Sequence, residues 1–310
     1  MRGGRSEGLE ALWLPVVEAF VRAYREGEHL SAGAGVVIDG EEILAPPPLP
    51  GQGSGGPLVL LCSPHPDDEA LTGGLPLRLA RELKARVINL AVTLGSNPAR
   101  QAARRAELSA ACAVLGFACR TLATPPGFAL KAGSEGQGWP AVVEGLADLI
   151  EELRPDLVLF PHPEDHHPAH VATNHLVTAA LVLASRRQEQ PLKAVETEYW
   201  RPMAAPNLLL GLSPQAVAQL LAAVACHRGE VLRNPYHLTL PARLLDNVRR
   251  GAELVNASQA GRPPFLFGEL YRVSLWRQGR NPSLALEPGW LGPEQGLSSL
   301  INNPFIETEP

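Results

Sequence analysis

LVLLCSPHPDDEA, residues 58–70, decides how this chain is read. Residues 58–62 are continuously apolar, without the alternation of a half-exposed strand. Such a run suits a strand covered on both faces. Pro64 ends it, and His65, Asp67, Asp68 and Glu69 follow at once. A second stretch repeats the plan. DLVLF at 156–160 leads into PHPEDHHPAH at 161–170. Two apolar strands, each running into a cluster of histidines and carboxylates, point to one site at neighbouring strand ends.

The segments around these runs alternate between helix and strand. A helix is expected over about 70–84, a strand within 85–94 and a helix over about 99–115. In the last of these, Leu108, Ala111, Cys112 and Leu115 share a face, and Gly116 can end it. A short strand is expected at 119–123. Val142, Leu146, Leu149, Ile150 and Leu153 mark another helix, stopped by Pro155. A fourth starts close to Ala169. After residue 190 the pattern is less regular, with a strand at AVETEYW (194–200), a helix at 213–226 and a late strand at 266–276, expected near a sheet edge. The fold class is α/β: a Rossmann-like, mostly parallel sheet with helices on both faces. Ligands bind such sheets beyond the C-terminal ends of the strands, where both motifs lie.

Three parts are expected. Residues 1–56 form an N-terminal extension packed on the core, with an amphipathic helix at 8–25 and a hairpin turning at Asp39-Gly40. Residues 57–280 form the catalytic domain, and 281–310 an irregular tail. The formal charge of −5 gives no general drive toward nucleic acid or an anionic membrane. No apolar run reaches the roughly 18 residues of a membrane span. The four cysteines lack CxxC spacing, and the N-terminus lacks a signal-peptide core, so a reduced, cytoplasmic location is expected. Size and charge leave a homo-oligomer open.

His65 and Asp68 are three apart, as are His167 and His170. Imidazole and carboxylate donors suit zinc, and also other divalent metals such as Fe2+. The expected ligand set is His65, Asp68 and His170; three protein donors leave a position for water. Asp67 is placed to act as general base toward that water, or else to cap a helix. His167 is placed to stabilise an oxyanion as an imidazolium or to donate a proton. Glu69 reads mainly as a helix-start carboxylate. His162 and His166 are candidate substrate contacts. Asp165 and Glu164 are candidate acceptors that orient a histidine. His175, His29, His227 and His237 read as ordinary polar residues. The loop at 124–140, with Phe128 and Trp139, is expected to form a substrate wall.

At these residues the chain resembles the LmbE-like, or PIG-L-type, N-acetylglucosaminyl deacetylase family. PHPDDE (64–69) with ALTGG, DHHPAH (165–170) against the family form DxHPDH, and RRAELSAACAVLG (104–116) carry the likeness, with a fainter one at GELY (268–271). The resemblance implies a zinc-dependent hydrolase that removes the N-acetyl group of an amino sugar or its conjugate. It implies His65, Asp68 and His170 as ligands to one ion, Asp67 as base and His167 as the residue that stabilises the intermediate. It also implies Arg104 as a contact to substrate hydroxyls or phosphate, and Glu107 as structural. The chain departs from the family at Ala169, where relatives carry an aspartate that orients the first histidine of the motif. Asp165 is expected to substitute for it. A different metal-assisted amide or ester hydrolase, and a metal- or sugar-binding protein, are the alternatives.

Overall fold

A computed structural model describes residues 6–33, 55–125, 128, 130, 138–255, 261–280 and 286–302. Helix α1 (Ser6–Gly33) comes first. Strand β1 (Leu58–Ser63) leads through the PHPDDE turn into α2 (Asp68–Leu71) and α3 (Gly74–Leu83). Then follow β2 (Arg86–Ala91), α4 (Pro98–Leu115), β3 (Ala118–Thr121) and α5 (Trp139–Leu153). Strand β4 (Leu157–Pro161) enters α6 (Pro168–Arg187), followed by β5 (Leu192–Thr197) and β6 (Leu208–Leu212). The chain closes with α7 (Pro214–Cys226), α8 (Arg228–Val231), α9 (Tyr236–Leu254), β7 (Phe267–Trp276), β8 (Gly289–Leu291) and α10 (Ser298–Asn302).

Among the described residues, eight strands form one sheet in the order β3-β2-β1-β4-β5-β7-β6-β8. From β3 to β5 every pairing is parallel. Strand β7 is antiparallel to both its neighbours, and β8 pairs parallel with β6. Every residue of β1 is buried, because helices cover both faces. Val59 and Leu61 pack into one cluster with α4 and α7; Leu58, Leu60 and Cys62 pack into the other with α5 and α6. Period-two side chains on a doubly covered strand require this continuous apolar run.

Helix boundaries follow local chemistry. The Asn97 side chain caps α4 by accepting from Ala99 N at 3.1 Å, and Gly116 ends that helix at φ 74°. Ser213 caps α7 in the same way. The helix expected over 70–84 is broken in two. Gly73 permits the break, since a β-carbon there would lie 2.3 Å from the Glu69 carbonyl oxygen.

Other differences are larger. The late strand is interior rather than at an edge, because β6 and β8 add beyond it. The tail expected to be irregular contains β8 and α10, and Leu297 and Leu300 join the main core. Its Gly and Pro content masks a short edge strand that needs only three residues of pairing. Strand β6 and helices α8 and α9 are additional to the expected elements. The hairpin at Asp39-Gly40 lies outside the described residues. In α1, Leu12, Trp13, Val16, Val17, Phe20 and Tyr24 are exposed, not packed on the core as expected. The helix instead approaches α9 at Gly27, where a β-carbon would stand 2.6 Å from Leu238 Cδ2.

Candidate active site

Strand β1 is flanked by β2 on one side and β4 on the other. The chain goes from β1 to β2 and β3, then crosses to β4 on the opposite side. The order of strands therefore reverses between β1 and β4, and the loops leaving these two strands diverge to open a crevice. Parallel register, with Leu61 opposite Leu159, brings both loops out at the same edge of the sheet. Strand pairing thus delivers two motifs far apart in sequence to one place.

There the donors converge. Asp68 Oδ2 lies 3.3 Å from His65 Nδ1 and 3.4 Å from His170 Nε2. The same oxygen accepts the His65 backbone N–H at 2.9 Å. His65, His167 and His170 each offer a ring nitrogen within 4.8 Å of the others. The expected donors therefore come together, and His167 stands close enough to be counted among them. The spacing fits a divalent ion. Donors about 2.0–2.1 Å from a tetrahedral zinc stand roughly 3.3 Å apart.

Electrostatics reinforce the grouping. Burial raises the Asp68 pKa, but His170 and His65 outweigh it and hold the carboxyl well below its usual range. Burial lowers the His170 pKa, but Asp68 and Asp165 push it up to about 9. Asp67 is raised well above its ordinary value by burial and by the neighbouring Asp68 and Glu69 charges, with Arg104 opposing.

Asp67 does not cap α2: its side chain makes no capping hydrogen bond. Its backbone is at φ 116°, a conformation L-residues rarely adopt. Its amide donates to Glu69 Oε2 at 3.0 Å. Glu69 is fully buried, and its Oε1 is 2.6 Å from His227 Nε2. Sequence spacing assigned His227 no role, since it lies 158 positions from its partner.

His167 caps α6 with its ring: Nδ1 accepts the Ala169 N–H at 3.3 Å. That contact leaves the proton on Nε2. Burial lowers its pKa, aided by the nearby His65 and His170, despite Asp68 and Asp165.

Asp165 makes no hydrogen bond to the His167 ring, though its charge raises that ring's pKa. Its Oδ1 accepts the His167 backbone N–H at 2.8 Å and its Oδ2 the Trp200 N–H at 3.0 Å. Oδ2 also stands 3.7 Å from His170 Nδ1, an electrostatic rather than hydrogen-bonding distance. Arg104 is engaged by protein groups: Nη2 donates to the Pro66 carbonyl at 3.0 Å, and Nη1 is 3.5 Å from Glu230 Oε1. Glu107 is structural, accepting the Gly229 N–H at 2.9 Å.

The segment after β5 supplies a wall that the sequence did not reveal. Tyr199 meets His170 edge-on at 4.6 Å between centroids, and Trp200 lies 5.0 Å from Tyr236. The segment is pinned by Arg250, whose Nη2 donates to Glu198 Oε2 at 2.8 Å. His162, expected at substrate, is buried and reaches the Arg201 carbonyl at 2.9 Å. His166 and His175 are exposed. Within the loop at 124–140, Phe128 and Trp139 stack at 6.5 Å; much of the rest lies outside the described residues. A separate groove of about 340 Å³, lined by Leu245, Val248, Arg249 and Leu266 among others, contains none of the site histidines.

Residues 60–181 match the PIG-L family model, GlcNAc-PI de-N-acetylase. The matched segment runs from within β1 to within α6 and holds His65, Asp67, Asp68, His167 and His170. It ends before Tyr199, His227 and Glu230. No curated protein sequence matches the chain. Solved structures share the fold. The conserved protein TT1542 from Thermus thermophilus is 24% identical, with a TM-score of 0.53 over 70% of this chain and 93% of that one. The 4-carboxy-2-hydroxymuconate hydratase GalB from Pseudomonas putida is 19% identical, with a TM-score of 0.52 over 73% of this chain and 100% of that one. The N,N'-diacetylchitobiose deacetylase from Pyrococcus horikoshii is 17% identical, with a TM-score of 0.51 over 70% of this chain and 84% of that one. These likenesses establish architecture alone, since the same fold serves a hydratase and a deacetylase.

Proposed function

We propose that the chain is a metal-dependent hydrolase that removes the N-acetyl group from an N-acetylglucosamine-type amino sugar or its conjugate. The observation that carries this reading is Asp68 Oδ2 standing within 3.4 Å of both His65 and His170, with the carboxylate of Asp67 next in sequence. His65, Asp68 and His170 are the proposed ligands, to zinc or to another divalent ion such as Fe2+. A cation held there supplies Lewis-acid polarisation of the amide carbonyl and lowers the pKa of water.

The remaining chemistry falls to side chains. Asp67 takes a proton from the attacking water. The His167 Nε2–H donates to the carbonyl oxygen as negative charge develops on it. The C–N bond then breaks, Asp67 returns its proton to the leaving nitrogen, and acetate and a primary amine depart. Trp200 and Tyr236 offer aromatic faces on which a sugar ring can lie. One catalytic domain beginning near residue 57 holds all of these groups. In solution it is expected to act in the cytoplasm on a small molecule.

The test joins metal analysis to acetate release from a panel of N-acetylated sugars and conjugates. Stoichiometric divalent metal with acetate release from at least one amino sugar is the expected result. Metal-loaded protein that releases no acetate from the panel would overturn the deacetylase reading.

A further inference from the structure

Asp67 occupies a backbone conformation, φ 116° and ψ −29°, that a residue with a β-carbon does not hold unaided. Such a conformation persists only where the surroundings over-determine it. The peptide group joining Pro66 to Asp67 is tied at both of its polar ends. Its carbonyl, that of Pro66, accepts from Arg104 Nη2 at 3.0 Å. Its N–H, that of Asp67, donates to Glu69 Oε2 at 3.0 Å.

Each tie has its own anchor, and both anchors come from one short stretch of chain. Glu69 Oε1 is 2.6 Å from His227 Nε2, with both side chains fully buried. Arg104 Nη1 is 3.5 Å from Glu230 Oε1, and Arg100 Nη2 donates to the same oxygen at 3.0 Å. His227 and Glu230 belong to a single turn, closed where the His227 carbonyl accepts the Glu230 N–H at 2.9 Å. Glu107 holds that turn against α4 through the Gly229 N–H at 2.9 Å. Arg104 and Glu107, three apart on α4, therefore both face α8.

We infer that His227 and Glu230 are positioning residues, which grip the Pro66–Asp67 turn from both sides and so set where the Asp67 carboxylate stands. The grip is independent of the reaction, but its catalytic consequence rests on the reading of Asp67 as general base. Neither anchor touches the donors of the proposed metal. The grip is therefore expected to govern turnover rather than metal content. His227→Leu removes the donor to Glu69 with little loss of bulk. His227→Gln keeps an N–H donor at that place.

The experiment measures three quantities on the metal-loaded full chain: bound metal, kcat and KM for a substrate hydrolysed by the parent, and hydrogen exchange in peptides covering residues 64–71. For His227→Leu, at least a tenfold loss of kcat is expected with KM within about twofold and metal retained. Exchange is expected to rise at least tenfold at residues 64–71 and to stay unchanged in peptides from β2 and β5. His227→Gln should recover most of the lost kcat and protection. Glu230→Gln should loosen the same peptides. Unchanged protection at residues 64–71 in His227→Leu would overturn the inference. So would a loss of protection spread evenly over the protein, with His227→Gln no better. A parent enzyme inactive on every amide offered would defeat the hydrolase reading, while exchange at residues 64–71 would still decide the grip.

Discussion

Asp165 serves His170 rather than the ring of His167. Its Oδ2 stands 3.7 Å from His170 Nδ1, and it meets His167 only at the backbone amide. Carboxylates placed behind a ligand histidine orient it and raise its donor strength. Asp165→Asn is therefore expected to weaken metal affinity by about 10–100-fold. Competition against a calibrated chelator measures this. The His167 ring should titrate lower than in the parent, because the Asp165 charge raises its pKa, and affinity equal to that of the parent would refute the assignment.

Asp68 and His167 compete for the third place beside His65 and His170. The three histidines offer ring nitrogens within 4.8 Å of one another, and Asp68 Oδ2 stands 3.3 and 3.4 Å from nitrogens of His65 and His170. Asp68→Asn should lower metal affinity steeply. His167→Ala should leave the metal bound and cut kcat by about 100-fold or more, the range seen when an oxyanion donor is lost. Metal loss from His167→Ala would show that this histidine is a ligand.

Asp67 joins an unfavourable backbone to a carboxylate crowded by Asp68 and Glu69. Strain of this kind costs on the order of 1–3 kcal/mol. Asp67→Gly, free to adopt φ 116°, is expected to raise unfolding free energy by about 1 kcal/mol while abolishing turnover. Asp67→Asn should lose at least about 100-fold in kcat, retain metal and gain less stability. Urea unfolding beside acetate release tests both, and an Asp67→Asn enzyme at full rate would remove Asp67 as base.

Metal itself should stabilise the fold. Ligands that bind only the native state shift unfolding by mass action. Free metal at a hundredfold above its dissociation constant is worth about 2.7 kcal/mol. Chelation should lower Tm, and titrating metal back should restore it in the parent but not in His170→Ala.

Glu269 gives a pH signature away from these donors. It is fully buried, accepts the Gly74 N–H at 3.0 Å and is bonded by the Tyr271 hydroxyl. Burial raises its pKa from 4.5 to about 7, against opposing contributions from Tyr271, Arg243 and the amides at the start of α3. Between about pH 4.5 and 7 the native carboxyl keeps a proton that the unfolded chain has released. Stability contributed by this group therefore falls as pH rises through that window and stays low above it. Glu269→Gln should be more stable than the parent at pH 8 by about 1–3 kcal/mol, with the difference gone at pH 4. Urea midpoints at the two pH values check this.

The parts of this site that sequence discloses are local. His65 and Asp68 occupy one turn, His167 and His170 one helix entrance, and apolar runs announce the strands beneath them. The parts it conceals are held by distance. His227 meets Glu69 across 158 positions, and no spacing or period marks the pairing. Arg104, expected at substrate, is held by the Pro66 carbonyl and Glu230, neither of them marked by its place in the sequence. The role of Asp165 turns on a few ångströms between two histidines that share its loop. The interior place of β7 was hidden because β6 and β8 are short and β8 follows residues with little periodicity.

The insertion of β7 between β5 and β6 has a consequence for the making of the protein. Both of its neighbours are synthesised first and must wait with unpaired amides for a partner that arrives only at residues 267–276. A chain interrupted before that point would leave β5 open on one side and β6 open on both, since β8 also comes later, and each border is an invitation to another molecule. Such fragments, although they contain His65, Asp68 and His170, should precipitate rather than persist as small folded units.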